Sequence, residues 1–142
     1  MPRRRKAREY ALQLLYQWEG ERGDPAALLP GFWRGVKADA ATRRFAEELF
    51  TGTAAALDEL DPLIAAHSEH WRLDRMASID RCLLRLALHE LRAHPETPAA
   101  VVIDEALEIA KRFSSSESVE FINGVLDAAR KTLASRSGVK AN

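Results

Sequence analysis

One segment of this 142-residue chain restricts the fold more than any other: residues 76–93, MASIDRCLLRLALHELRA. Met76, Ile79, Leu83, Leu84, Leu86, Ala87, Leu88 and Leu91 carry apolar side chains round most of a helical circumference. At about 100° per residue, so wide an arc leaves only a narrow strip for polar side chains. The segment must therefore sit inside a bundle of other helices. Asp80 and Glu90 fall within the same arc, and carboxylates so placed need partners in the fold, for which the many arginines are available.

The other periodic segments also read as helix. A first helix spans about residues 3–19, with Ala7, Ala11, Leu14, Leu15 and Trp18 on one stripe. Gly20, Gly23, Asp24-Pro25 and Pro30-Gly31 then predict a loop, with room for one short turn at 26–29. A second helix starts near Ala40 and runs to about residue 70, burying Phe45, Leu49, Ala56 and Leu60. Asp61-Pro62 marks either a kink or a restart capped by Asp61. Trp71 and Leu73 are expected to plug the junction between two halves, about 1–72 and 73–134. Pro95 ends the third helix. Thr97 is the expected cap and Pro98 the first residue of a fourth, which buries Val102, Ile103, Ala106, Ala110 and Phe113. Ser114-Ser115-Ser116 separates it from a last helix at about 117–134, striped by Val119, Ile122, Leu126, Ala129 and Leu133, before a loose tail at 135–142. The fold class is all-α, in a single domain.

Several function classes find no support. There is no apolar run near 18 residues to span a membrane, and no signal-peptide stretch. The single cysteine, Cys82, excludes an internal disulfide and fits a reducing cytoplasm; in its apolar run it reads as a packed, inert thiol. His67 and His70 share helical spacing, but no third metal ligand follows. No phosphate loop, nucleophile elbow or paired-Cys motif occurs. The expectation is a protein without catalysis, cofactor or metal.

Charge points elsewhere. The chain holds 21 basic and 21 acidic residues, yet Arg3, Arg4, Arg5, Lys6 and Arg8 crowd the first eight positions with no acid among them. Such a cluster neutralises phosphates and releases counterions, which makes nucleic acid the default partner; a solvated tail is the alternative. Tyr16 lies off the apolar stripe, on the side of Arg5. It is either a ring for a single-stranded base to stack on or one packed against a neighbouring helix with its hydroxyl in water. The last helix repeats the pattern: Phe121 is off-stripe, beside Asn123 and Gly124, with Lys111 and Arg112 upstream. Phe121 and Gly124 suit either RNA contact or helix packing.

Four stretches together, RRRKAREYALQLLYQWE, RCLLRLALHEL, PAAVVIDEALEIAKRF and FINGVL, resemble the NusB family of bacterial transcription antitermination factors, in order from about residue 3 to 133. The resemblance implies two small helical bundles packed together. It implies binding of boxA-type single-stranded RNA and pairing with NusE, the ribosomal small-subunit protein in its transcription role. It implies loading of both, with other Nus factors, onto elongating RNA polymerase. Carried across by position, the RNA surface would use Arg3, Arg4, Arg5, Lys6, Arg8 and Tyr16, with Lys111, Phe113, Glu117, Ser118, Phe121 and Asn123. The protein partner would lie near Asp80, Arg81 and Arg85.

Three positions depart from the family's usual residues. His89 stands where Tyr is usual, Ser114-Ser115-Ser116 replaces a turn that often has Gly, and Glu120 stands where Lys is frequent. Added negative charge at Glu120 should weaken binding to free RNA. Two other readings remain at this point. One is a helical domain of an RNA cytosine methyltransferase, which needs a nucleotide-binding domain beyond residue 134. The other is a self-associating module, such as a homodimer, that masks its own RNA surface.

Overall fold

The stripe of Ala7, Ala11, Leu14, Leu15 and Trp18 organises the N-terminal part of the chain. All five side chains are buried in helix α1, Pro2–Glu21. A computed structural model describes residues 2–68 and 73–137, and the side chains of all of these except Pro2, Arg3 and Ser137. His70 and Trp71, and the side chain of Arg3, lie outside the described residues.

Helix α1 ends at Arg22, whose φ of 56° places it in the left-handed region usually taken by glycine. Gly20, expected to break the helix, lies within it. The Arg22 N–H donates to the Trp18 carbonyl at 2.7 Å, and Trp18 Nε1 donates to the Gly23 carbonyl at 2.7 Å.

The segment expected as a loop is partly helical. Asp24 caps a 3-10 turn, Pro25–Leu28, that runs into α2, Leu29–Arg34. Pro30 and Gly31 read as breakers, but a proline in the first turn forfeits only an N–H that has no helical partner there. Aromatic packing supplies the rest. Trp33 is buried and meets Tyr10 edge-on at 5.4 Å and Phe32 at 4.9 Å. Its Nε1 donates to Glu47 at 2.7 Å.

Helix α3, Ala40–Ala55, is capped by Asp39, which accepts from the Thr42 N–H at 2.8 Å. It packs along α1, with Trp18 meeting Phe50 edge-on at 6.4 Å. The interruption expected at Asp61-Pro62 comes earlier, at Ala56, whose N–H turns back to Thr53. Thr51 and Thr53 hydroxyls bond the Glu47 and Leu49 carbonyls one turn earlier, a pattern that bends helix ends. Phe45 and Ala56, expected in the core, are only half-buried.

The chain divides into two compact units, residues 1–56 and 57–142. The second opens with α4, Leu57–Ala66, which continues through Pro62. Asp61 lies within the helix and caps no restart there; its carboxylate accepts from both Nε and Nη2 of Arg85 at 2.8 and 2.9 Å. After a short 3-10 turn at Leu73–Arg75 comes α5, Ser78–Ala93. It contacts α4, α6 (Ala99–Phe113) and α7 (Ser116–Ser137). Cys82, Leu83, Leu84, Leu86, Ala87 and Leu88 are all buried on it, the interior position its wide apolar arc requires. Pro98, rather than Thr97, occupies the cap position of α6. Ile122, Leu126 and Ala129 anchor α7, which continues past residue 134 into the segment expected as tail. The His67 ring meets Thr132 of this helix at 3.0 Å, which gives that histidine a structural partner. The described residues form helices and turns with no strand, and no helix among them is long and apolar enough to cross a membrane.

Candidate nucleic-acid interface

The first candidate region lies on α1 in the N-terminal unit. Arg4, Arg5 and Lys6 are exposed. They sit where the helix macrodipole is positive, and no acidic residue occupies the first turn to offset it. Positive charge on the positive end of a helix costs stability; an anion placed there would relieve it. Arg4 lies 4.0 Å above the Phe45 ring, which holds the guanidinium on the surface. Lys6 lies 3.7 Å from Glu9 and 5.2 Å above the Tyr10 ring. Arg8 differs from these: it is buried, 5.6 Å from the same Phe45 ring. Tyr16 is 50% exposed, which leaves part of its ring open to a stacking base.

The second region is the turn between α6 and α7, in the C-terminal unit. Phe113 has two expected places, the core and the RNA surface. It is 44% exposed, at the very end of α6, where the backbone turns away before the ring can reach the core. The Arg112 guanidinium lies 5.2 Å from that ring. A cation next to a helix-terminal aromatic is the sequence signal of this pairing, one that an apolar stripe does not weigh. Lys111 is exposed, 3.6 Å from Glu108.

Ser115 caps α7: its Oγ accepts from the Ser118 N–H at 3.1 Å and donates to Ser118 Oγ at 3.1 Å. Beyond the cap, Glu117 and Glu120 are exposed, Phe121 is half-buried, and Asn123 and Gly124 are exposed. Gly124 is the informative member. A Cβ built there would meet nothing within 4 Å, so packing does not require glycine. A mid-helix glycine costs roughly 0.5–1 kcal/mol relative to alanine. An open face with that cost uncompensated by the fold suits close approach of another molecule to the backbone.

The residues expected at the protein-partner surface are engaged within their own unit. Arg85 is 3% exposed and pairs with Asp61. Arg81 donates to the Leu73 and Met76 carbonyls at 2.8 and 3.2 Å and to Ser78 Oγ at 3.3 Å. Asp80 is 7% exposed. It accepts from the hydroxyls of Ser114 and Ser118, both at 2.7 Å, where the sequence suggests an arginine partner.

The NusB family model matches residues 5–131. The transcription antitermination protein NusB of Koribacter versatilis (strain Ellin345) is 47% identical over 131 residues, covering 92% of this chain and 90% of that protein. Among solved structures, NusB of T. maritima superposes with a TM-score of 0.81 at 35% identity, covering 90% of each chain. A chain from a complex of NusB and NusE with double-stranded RNA superposes at 0.82 with 25% identity, covering 93% of this chain and 98% of that one. The sequence match spans both candidate regions and the superpositions take in nearly the whole helical fold: the chain belongs to the NusB family.

Proposed function

We propose that this chain is a transcription antitermination factor that binds boxA-type single-stranded RNA together with NusE, the ribosomal small-subunit protein. In this reading the pair joins other Nus factors on elongating RNA polymerase and supports transcription of ribosomal RNA. It acts by binding rather than catalysis, needs no cofactor, and works in the cytoplasm. Residues 1–142 serve as one functional domain of two helical halves.

The observation that carries the reading is the α1 N-terminus, with exposed cations on a helix end that has no carboxylate in its first turn. RNA phosphates complete that charge arrangement. Tyr16, Phe113 and the half-buried Phe121 offer rings for unstacked bases, and Asn123 offers an amide for a base edge. Arg3 and Arg5 extend the phosphate contacts, and Lys111 supplies them in the second region. Glu117 and Glu120 lower affinity for RNA alone, so NusE, docked beside the N-terminal end of α5 near Arg81, adds the contacts that make binding firm.

The test is titration of a short boxA-like single-stranded RNA at about 0.15 M salt, with and without saturating NusE. The expected result is binding strengthened by the partner, with a coupling of about 1–3 kcal/mol. Equal affinities in the two titrations would remove the partner from the mechanism. Absence of RNA binding in both would overturn the reading itself.

A further inference from the structure

The Asp80 carboxylate stands out among the charged groups of the C-terminal unit. It is buried at the start of α5, yet both of its oxygens reach into the α6–α7 turn. Ser114 Oγ donates to Oδ1 and Ser118 Oγ to Oδ2, each at 2.7 Å. Ser118 is held a second time, by its own N–H to the capping Ser115 Oγ. The two serines bracket the helix reversal that carries Phe113 on one side and Phe121 and Asn123 on the other. One buried side chain thus ties both ends of the turn to α5.

We propose that Asp80 is a positioning residue for RNA recognition. Its carboxylate clamps the Ser114–Ser118 turn so that Phe113, Phe121 and Asn123 are presented in a fixed arrangement before RNA arrives. This rests on the RNA-binding reading above and assigns to Asp80 a different task from contact with the protein partner. Hydrogen bonds to a charged acceptor are stronger than neutral ones, and a turn ordered in advance loses less conformational entropy on binding.

Simple electrostatics predicts the opposite sign. Removing a carboxylate near an RNA surface should strengthen RNA binding and steepen its salt dependence. Loss of the clamp should weaken affinity and leave the salt slope alone, since Asp80 touches no phosphate. The experiment measures affinity for a short boxA-like single-stranded RNA across a salt series, using the full-length chain and four variants: Asp80→Ala, Asp80→Asn, Ser114→Ala with Ser118→Ala, and all three alanines together. Circular dichroism and thermal melting establish the folded fraction of each.

Asp80→Ala should weaken binding about tenfold, the scale of one charged hydrogen bond, with the slope unchanged. Asp80→Asn should stay within about threefold of wild type, because an amide can accept from one serine hydroxyl and donate to the other. The serine pair should match Asp80→Ala, and the triple variant should be no worse than either. If Asp80→Ala fails to fold, the serine pair and Asp80→Asn carry the same comparison. Tighter RNA binding by Asp80→Ala, or additive losses in the triple variant, would overturn the proposal. So would unchanged RNA affinity of the isolated chain with weakened NusE binding in both Asp80 variants. Wild-type chain that binds no RNA, with or without NusE, would overturn the functional reading and this inference together.

Discussion

At the scale of single residues, exposure separates side chains that the sequence leaves equivalent. Arg4, Arg5, Lys6 and Arg8 are one basic cluster in the sequence, yet Arg8 is buried while the other three face solvent. The helical period explains this: Arg8 is one residue beyond the stripe position Ala7 and turns toward Phe45 on α3. Tyr16 was legible as an off-stripe ring, because its exposure follows from the period of its own helix. The exposure of Phe113 was not, since it depends on where α6 stops, and helix ends are set by tertiary contacts and caps that a stripe does not encode. Gly124→Ala should act in two directions. Stability should rise by about 0.5–1 kcal/mol, since alanine is the better helix former and its Cβ meets open space. RNA affinity should fall as the methyl group blocks close approach. Denaturant unfolding and RNA titration on the same variant check both halves, and a gain in both would free Gly124 from any part in binding. Tyr16→Ala and Phe113→Ala should each cost about 1–3 kcal/mol of RNA affinity with little change in melting temperature, as both rings are substantially exposed.

At the scale of elements, α5 was the easiest to read and α2 the hardest. A helix apolar over most of its circumference has one destination, the interior, and α5 is buried along most of its length. Helix α2 has only six residues, too short to show a period, and its Pro30 and Gly31 speak against helix locally. It forms because Trp33 gains Tyr10, Phe32 and Glu47 as neighbours, and two of these are distant in sequence. Trp33→Ala should therefore destabilise the N-terminal unit by about 3–5 kcal/mol, measured by chemical denaturation. A loss under about 1 kcal/mol would show that α2 is dispensable to the core. The buried Arg85–Asp61 pair bears on any attempt to probe a partner surface there. Reversing charge at Arg85 would leave a buried carboxylate facing Asp61, and breaking such a pair typically costs about 3–5 kcal/mol. The outcome would report on folding before it reported on a partner.

At the scale of the whole molecule, a chain of zero formal net charge concentrates positive charge where α1 begins and mixes both signs at the α6–α7 turn. Long-range attraction of RNA by net charge is therefore absent, and affinity must come from local phosphate contacts and stacking, assisted by a partner. The basic opening was visible in the sequence; the lack of a carboxylate in its first turn acquires meaning only once those residues form the start of a helix. The clamp from Asp80 to the serines was invisible, because it joins residues more than thirty positions apart. The most direct test of the central claim is the salt dependence of binding to single-stranded boxA-like RNA, for wild type and for Arg4, Arg5 and Lys6 changed together to alanine. Binding through the α1 cations predicts weaker affinity in the triple variant and a slope of log K against log salt reduced by about 0.7 for every phosphate that the variant no longer neutralises. A slope and affinity equal to wild type would contradict the account and take the N-terminus of α1 out of the RNA interface.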